Sequence, residues 1–171
     1  MAEHVEIPLT GRNGAGRVAI VDSADAADLQ MYRWHAFIDR SGNVYARRAY
    51  KEDGRVRCER MHRRITGLPG RVDHANGNTL DNRRVNLRAA TAAQNVANSS
   101  KRSGSTSRFK GVSRAGSSWL AHIKSGGRSR HLGRFADEAA AARAYDEAAR
   151  AGFGEFARLN FPLPGERGCL G

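Results

Sequence analysis

The sequence predicts an α+β fold with a β-rich N-terminal module, a flexible linker, and a three-stranded antiparallel sheet packed on one helix. Three observations carry this prediction. Short stretches of alternating apolar and polar residues, separated by glycine-rich turns, are typical of strands. Residues 98–107 contain no apolar side chain and are rich in Ser and Gly, which predicts a flexible tether. An alanine-dense segment follows the last predicted strand, and alanine has the highest helix propensity.

The pattern predicts five strands and one helix in the N-terminal module. The strands are expected at residues 5–9, 17–21, 34–39, 44–50 and 55–61, with turns such as 11–16 and 41–43 between them. The helix is expected over residues 23–31. Ser23 can cap its start, and Ala, Leu and Met side chains supply its buried side.

Residues 72–100 are rich in Asn, Gly and Asp, which predicts an irregular segment. A short strand is expected within it at residues 86–90. Thr91 and Gln94 then have the spacing of a capping box, in which a hydroxyl and a carboxamide satisfy the first amides of a helix. Asn95 is therefore expected in the first turn of that helix.

The C-terminal module is predicted to contain three strands followed by one helix. The strands are expected at residues 109–114, 119–124 and 128–135, with turns at 115–117 and 125–127. Asp137 can cap the alanine-dense helix, which runs to Arg150 and stops by Gly152. The expected organisation is a first domain at 1–97, a linker at 98–107, a second domain at 108–162 and a tail at 163–171.

The composition indicates a polyanionic partner. The 171 residues include 29 Lys or Arg and 17 Asp or Glu, a formal net charge of +12, and clustered cations gain affinity by releasing counterions from phosphates. Nucleic acid is therefore expected, rather than a membrane surface. The sequence has no run approaching the ~18 apolar residues of a membrane span and no secretory or transit pattern, so a cytoplasmic protein is expected. Cys58 and Cys169 are expected to be unpaired thiols.

An imidazole, a carboxylate and two carboxamides form a candidate nuclease site. Phosphodiester hydrolysis needs a base for the attacking water and a cation for the developing charge. His74 is the candidate base, because an imidazole is substantially neutral at physiological pH. Asp73 and Asn95 offer hard oxygen ligands suited to Mg²⁺ or Mn²⁺. Asn86 can hold the other imidazole nitrogen. Neighbours in a strand face opposite sides, so Asp73 and His74 share a site only if the strand ends or bulges there.

The chain resembles the HNH endonuclease superfamily, in its phage and homing-endonuclease branch, over residues 55–97. The motifs that carry the resemblance are Asp73-His74-Ala75-Asn76-Gly77-Asn78, Asp81-Asn82-Arg83, Asn86-Leu87-Arg88, Gln94-Asn95 and the preceding Met61-His62-Arg63-Arg64-Ile65. The resemblance implies a ββα-metal motif with His74 as general base, Asp73 and Asn95 as metal ligands, and Asn86 as the residue that orients the imidazole. Arg64 departs from the apolar residue that is usual in that family.

His62 is predicted to be a packed or hydrogen-bonded residue near the site rather than a catalytic one. A zinc site built from Cys58, His62 and His74 is not favoured, because it lacks a fourth ligand.

The C-terminal module carries a strongly basic surface. Residues 101–134 contain nine Lys or Arg and no Asp or Glu. Period-two alternation places Trp119, Ala121 and Ile123 on one face of the sheet and Leu120, His122 and Lys124 on the other. The same rule leaves Ser129 and His131 with the polar face, and Arg130 with Leu132. The free face of such a sheet has the width to enter a DNA major groove.

Residues 108–162 resemble the AP2/ERF DNA-binding domain, which is known from plant transcription factors and is also found fused to phage HNH nucleases. The matching segments are Phe109-Lys110-Gly111-Val112, Trp119-Leu120-Ala121-His122-Ile123-Lys124, His131-Leu132-Gly133-Arg134-Phe135, Ala141-Ala142-Arg143-Ala144-Tyr145-Asp146-Glu147-Ala148-Ala149, Gly154-Glu155 and Leu159-Asn160-Phe161-Pro162. The resemblance implies DNA contacts by Lys110, Ser113, Arg114, His122, Lys124, Ser129 and His131, with Arg108 and Arg128 on phosphates. Ser113 and Ser129 stand where plant members often have base-reading arginines, so plant-type sequence preference is not expected.

These features together predict a DNA endonuclease that uses one divalent metal ion and is targeted by its second module to double-stranded DNA. One site in each chain makes a nick the simplest product. The alternative is a non-catalytic, sequence-specific DNA-binding regulator in which the first module only folds and docks. An RNA-binding or RNA-cleaving protein is a third, weaker hypothesis.

Overall fold

The structure, a computed structural model, describes residues 3–101 and 104–169. It is a mixed α/β structure with several small antiparallel sheets and few helices, which confirms the predicted class at that level. Backbone proximity divides the chain into two compact units, Met1–Ala89 and Ala90–Gly171.

Two antiparallel sheets form most of the first unit. One pairs β1 (His4–Pro8) with β2 (Val18–Asp22). The other has the strand order β3-β4-β5, made of β3 (His35–Ile38), β4 (Val44–Glu52) and β5 (Arg55–Arg60). All five strands overlap the predicted ones, because each alternates inward and outward side chains over a short, turn-bounded stretch.

Two helices and a further strand pair complete this unit. Helix α1 (Ser23–Gln30) follows β2 directly, and helix α2 (Met61–Thr66) follows β5 directly. Strand β6 (Arg71–His74) pairs with β7 (Leu87–Ala90). The irregular loop that the sequence predicts lies between these two strands and includes a single 3₁₀ turn, Arg84–Asn86.

Helix α2 is an element that the sequence pattern did not predict. Six residues are too few to display a helical period, and the segment was assigned in part to the preceding strand. Its anchors are Met61 and Ile65, one turn apart and only 0% and 6% exposed. Gly67 ends the helix in the left-handed conformation with φ 62°, a position that favours glycine. The helix places His62 on a buried face beside these anchors.

The core of the first unit joins both sheets to the two helices. Its central side chain is Trp34, which is 1% exposed and donates its indole N–H to the carbonyl of Leu29 at 2.8 Å. The other buried members are Ile7, Leu9, Ala19, Val21, Ala26, Leu29, Ala36, Ala46, Met61 and Ile65. Because Ala36 and Ala46 point into this core, the opposite face of the β3-β4-β5 sheet points away from it.

The second unit is built on a three-stranded sheet and a long helix. The strand order is β10-β9-β8, made of β8 (Val112–Ala115), β9 (Ser118–Ser125) and β10 (Arg128–Phe135), and helix α4 (Glu138–Phe153) follows. Asp137 caps this helix by accepting a hydrogen bond from the amide of Ala140 at 2.8 Å, as predicted. The short helix α3 (Ala92–Asn98) precedes the sheet, and the parallel pair β11 (Arg158–Leu159) and β12 (Arg167–Gly168) follows α4.

Small side chains bring α4 close to the sheet. Ala141, Ala142 and Ala149 are each 0% exposed, and the Tyr145 ring fills the space beside them. Gly111 lies against this ring with φ 74°, and a Cβ there would meet the ring at 2.0 Å. Any other residue at position 111 would push the start of β8 away from the helix.

Helix α3 belongs to the second unit. Ala97 and the half-buried Ala93 pack in the same apolar cluster as Phe153 and Phe156. The helix was assigned to the first domain from sequence, and the linker at residues 98–107 stays a prediction. The N-terminal end of that segment is bonded within the unit, since Arg158 donates to the Ser100 hydroxyl at 2.6 Å.

Candidate functional site

Strand β6 ends at His74, where the chain turns. The amide of Gly77 donates to the carbonyl of His74 at 2.8 Å, and Gly77 has φ 71°. Asp73 and His74 are 7% and 4% exposed. The strand therefore ends where the sequence argument required, and both side chains are withdrawn from solvent although they are neighbours in the chain.

Two rings pack against the imidazole of His74. The His62 ring meets it edge to face, with centroids 5.1 Å apart, and the Tyr45 ring lies tilted at 6.2 Å. Tyr45 also contacts His62, at 5.8 Å between centroids. The predicted packing role of His62 near the site agrees with these contacts. The rings of His62 and Tyr45 fix the plane of the His74 imidazole.

The environment of His74 favours its neutral form. Burial lowers the pKa of this imidazole, while a contact with Asn82 and the carboxylates of Asp73 and Asp81 oppose the shift. Burial also lowers the pKa of His62, to about 3, with the charges of His74 and Arg60 adding to the effect. A neutral imidazole at neutral pH can accept a proton, which is the state that a general base requires.

Asn82, rather than the predicted Asn86, is the carboxamide that the structure places beside His74. Its Oδ1 lies 3.5 Å from His74 Nε2. Asn86 instead accepts a hydrogen bond from the amide of Asn76 at 2.8 Å and donates to the carbonyl of Asp81 at 2.7 Å. Its side chain holds the loop between β6 and β7. The motif Asp81-Asn82-Arg83 was noted in the sequence, but its spacing alone did not show which carboxamide reaches the imidazole.

A buried carboxylate braces the same loop. Asp81 is 2% exposed and accepts hydrogen bonds from Asn76 at 2.8 Å and from two nitrogens of Arg83 at 2.8 and 2.7 Å. The Arg83 guanidinium lowers the pKa of Asp81, so this carboxylate stays charged. Ile20 in β2 exchanges backbone hydrogen bonds with Leu80 and Asn82 at 2.8 and 2.7 Å. The loop that carries Asn82 is therefore fixed before any substrate binds.

Asp73 forms an ion pair with Arg88 in β7. The Arg88 Nε lies 3.0 Å from Asp73 Oδ2, and both side chains are less than 20% exposed. Arg88 was part of a noted motif, but no role was predicted for it.

Asn95 lies on α3, where the capping box is confirmed. Thr91 Oγ1 accepts from the amide of Gln94 at 3.2 Å, and Gln94 Oε1 accepts from the amide of Thr91 at 2.7 Å. The side-chain oxygen of Asn95 is buried and finds no hydrogen-bond donor within residues 3–101 and 104–169. A buried carbonyl oxygen without a donor is unusual in folded proteins and suits a bound cation or water.

The donor types fit a hard divalent ion better than zinc. In the described part of the chain, no three His, Cys, Asp or Glu side chains cluster as a metal site. Mg²⁺ typically keeps several waters and takes one or two protein oxygens, and the Asp73 carboxylate and the Asn95 carboxamide each offer an oxygen of that type. Cys58 is exposed, and the structure gives no support to a zinc site that includes it.

The sheet of the second unit gathers most of the predicted DNA-contact residues on one face. Lys124 lies opposite Ser129, and His122 lies opposite His131. Ser113 lies opposite Leu120, which shares this face with His122 and Lys124. Val112, Ala121 and Ile123 are buried on the other face, where α4 packs. The predicted assignment of residues 119–124 to two faces is confirmed by this register.

Two of the predicted contact residues do not lie on that face. Arg114 is opposite Trp119 and so shares the helix-side face, with its guanidinium 5.7 Å from the Trp119 ring. The Lys110 ammonium donates to the carbonyls of Val96, Ala97 and Ser99 at the end of α3. Burial lowers the pKa of Lys110 to about 8.

The remaining two predicted contacts, Arg108 and Arg128, are exposed. Arg108 lies 3.8 Å from a carboxylate oxygen of Glu138, with 74% of its side chain exposed. Both guanidinium groups are therefore accessible to a phosphate.

The site therefore combines a buried imidazole, its neighbouring carboxylate and a braced loop. Among known families, residues 63–97 match the sequence model of a family described as HNH endonuclease. The match supports an HNH nuclease, suggests DNA nuclease activity and implies a DNA substrate. Nucleases of this family generally use a divalent metal ion. No curated protein matches the chain.

None of the helices in the described ranges combines the length and the apolarity needed to cross a bilayer.

Proposed function

We propose that the protein is an HNH-type DNA endonuclease that nicks double-stranded DNA with one divalent ion, Mg²⁺ or Mn²⁺. The observation that carries this proposal is the burial of His74 at the end of β6, which lowers the pKa of its imidazole. His74 lies next to Asp73 and within the segment that matches the HNH endonuclease family.

His74 is the proposed general base. It accepts the proton of the attacking water, and the packed rings of His62 and Tyr45 hold its orientation. Asn82 is the proposed hydrogen-bond partner of Nε2, and the role of Asn86 is to keep the loop in shape. Such positioning matters because proton transfer depends on a short, aligned contact.

Asp73 and Asn95 are the proposed metal ligands. Their support is the burial of the Asp73 carboxylate and the buried, unpartnered oxygen of Asn95 among the described residues. A bound divalent ion would neutralise charge that develops on the phosphate and the leaving oxygen. Arg88 keeps the Asp73 carboxylate in place by their 3.0 Å contact.

The second unit is the proposed targeting domain, with an AP2-like mode of binding. Its support is the shared sheet face of Ser113, His122, Lys124, Ser129 and His131. Arg108, Arg114 and Arg128 are exposed and are proposed to contact phosphates. Lys110 is left out of this set, because its donors are directed to backbone carbonyls.

The proposed biological setting is that of phage and homing nucleases, acting on DNA inside the cell. Support comes from the order of the motifs around His74 and from Asn95 at the last ligand position. A single site in each chain would cut one strand at a time, so a nick is the proposed product.

Relaxation of supercoiled plasmid tests the function directly. Purified protein with Mg²⁺ or Mn²⁺ is expected to convert supercoiled plasmid to the open circle, and EDTA is expected to prevent it. Linear product without an open-circle intermediate would contradict nicking. Tight DNA binding without any cleavage in either ion would favour the non-catalytic regulator, and cleavage of RNA alone would favour the RNA hypothesis.

A further inference from the structure

Strands β4 and β5 form a hairpin whose outer part is exposed on both faces. All residues of 49–58 are exposed, including Val56 at 67%. The hairpin closes through Asp53 and Gly54, with φ 50° and 72°, the left-handed pair that a two-residue type I′ turn requires. The hairpin is therefore a regular two-stranded ribbon that ends in a tight turn.

The two faces of this ribbon differ in charge. In the cross-strand register Arg47 lies opposite Arg60, and Lys51 lies opposite Val56. These four residues, with Ala49 and Cys58 between them, share one face. We call this side of the hairpin the basic face, after its cations Arg47, Lys51 and Arg60. No carboxylate of β4 or β5 lies on this face. None of the three cations has an ion-pair partner in the described part of the chain.

The other face is largely neutralised by its own acids. Arg48 pairs with Glu59 at 2.7 Å, and Arg57 pairs with Glu52 at 3.3 Å. Both faces are exposed at the tip of the hairpin. They differ in net charge, because the face that carries Arg48 and Arg57 also carries their acidic partners.

The basic face leads to the proposed catalytic imidazole. Tyr45 lies on the same face of β4 as Arg47, and the Arg60 guanidinium stacks 4.5 Å from the Tyr45 ring centroid. Tyr45 in turn contacts the rings of His62 and His74. Asp39 lies near the base of this face, but its carboxylate accepts hydrogen bonds from Ser41 and Asn43.

We propose that the β4–β5 hairpin is a second DNA-binding element, which grips duplex DNA beside the scissile phosphate through its basic face. This inference rests on the proposed function, because the duplex is taken to be the nuclease substrate. The major groove of B-DNA admits a two-stranded ribbon. The cations of the basic face complement the phosphates, and the exposed Val56 at the tip offers an apolar contact to base edges.

A pair of charge reversals tests the basic face. Lys51→Glu changes the basic face, and Arg57→Glu makes the same change in charge on the opposite face as the matched control. Both are introduced into the His74→Ala chain, and binding to a duplex oligonucleotide is measured without divalent ions, so that no cleavage is needed. Lys51→Glu is expected to weaken binding about tenfold near 0.1 M salt and to lower the salt slope by about one. Arg57→Glu is expected to change affinity by less than about threefold, because the charge is screened beyond about 10 Å.

A shortened hairpin provides an independent test. Deleting Lys51, Glu52, Arg55 and Val56 leaves the Asp53-Gly54 turn between Tyr50 and Arg57, a pair of the same hydrogen-bonding type as Glu52 and Arg55. The chain is therefore expected to fold and to lose protection of the DNA next to the cleavage position. Unchanged protection, or equal effects of Lys51→Glu and Arg57→Glu, would overturn the inference. A loss of affinity seen only with duplex RNA would overturn it as well.

The same measurements separate this inference from the proposed function. Weaker DNA binding by Lys51→Glu in a protein that never nicks plasmid would support the hairpin and refute the nuclease. Normal nicking by Lys51→Glu in a chain that keeps His74, with unchanged affinity and footprint, would refute the hairpin and leave the nuclease intact.

Discussion

The imidazole rings of His62 and His74 meet edge to face, with their planes at 83° and their centroids 5.1 Å apart. One ring comes from helix α2 and the other from the last residue of β6. This contact ties the proposed base to the helix that Met61 and Ile65 anchor in the core. The orientation of the His74 imidazole, the proposed general base, is thereby linked to the packing of the first unit.

Replacing His74 by Ala is expected to abolish nicking while leaving DNA affinity nearly unchanged. Loss of a general base typically costs 10²- to 10⁴-fold in rate, and the imidazole is too buried to add a phosphate contact. The measurement is plasmid nicking together with duplex binding in EDTA. His4→Ala, at an exposed position in β1, is the matched control. Retained nicking by the His74 variant would remove this residue from the base role.

Replacing Asn95 by Ala is expected to weaken divalent-ion binding by at least about tenfold, since even the hydrogen-bond partners of a metal ligand contribute that much. Mn²⁺ titration followed by electron paramagnetic resonance measures this without requiring activity. Val96→Ala serves as the control, because the Val96 side chain is on the same helix and 51% exposed. Equal Mn²⁺ affinity in both variants would exclude Asn95 as a ligand.

The buried His62 is expected to make the protein sensitive to acid. Its pKa is about 3 in the folded protein, below the ordinary 6.5, so the unfolded chain takes up a proton first. The contribution of the neutral His62 to the free energy of unfolding is therefore fully present above pH 6.5. It decreases as the pH falls towards 3, by at most about 1.4 kcal/mol per pH unit.

Chemical denaturation between pH 7 and pH 4 measures this dependence. His62→Gln is expected to be less stable at pH 7 and to show a flatter decline. Burial lowers the pKa of His74 too, so part of the slope is expected to remain. A variant with the same slope as the natural chain would show that His62 does not titrate in this way.

Replacing Lys110 is expected to lower the stability of the second unit, whereas replacing Lys124 is expected to lower its affinity for DNA. Lys110→Met removes the donors to three carbonyls at the end of α3 and is expected to cost about 1–3 kcal/mol of stability, with little change in DNA affinity. Lys124→Met, at an exposed position on the free sheet face, is expected to weaken DNA binding and to lower the salt slope by about one at unchanged stability. Thermal unfolding and salt-dependent binding check both. The reverse pattern would return Lys110 to the DNA-contact set.

Local signals account for the parts of the fold that the sequence predicted. The strands follow from period-two alternation, and the start of α3 follows from Thr91 and Gln94, which are only three residues apart. Helix α2 was not predicted, because its six residues are too few to display a helical period. The packing of α3 into the second unit depends on Ala97 meeting Phe153 and Phe156, a contact over more than fifty positions that no local pattern encodes.

The residue types of the candidate site were predictable, but their pairing was not. Asn82 and Asn86 are four residues apart and chemically identical. Only the path of the loop decides which of them faces His74. Likewise, the sequence shows Lys110 as one cation among many, and its bonds to the end of α3 depend on where the chain returns in space.

The ribbon formed by β4 and β5 also carries a thiol that a labelling reagent can reach. Cys58 is an exposed thiol on the same side as Lys51. The other cysteine, Cys169, is partly enclosed, and burial raises its pKa, which lowers its reactive thiolate fraction. A maleimide fluorophore would therefore attach preferentially at Cys58, and its emission would report when a nucleic acid approaches the ribbon.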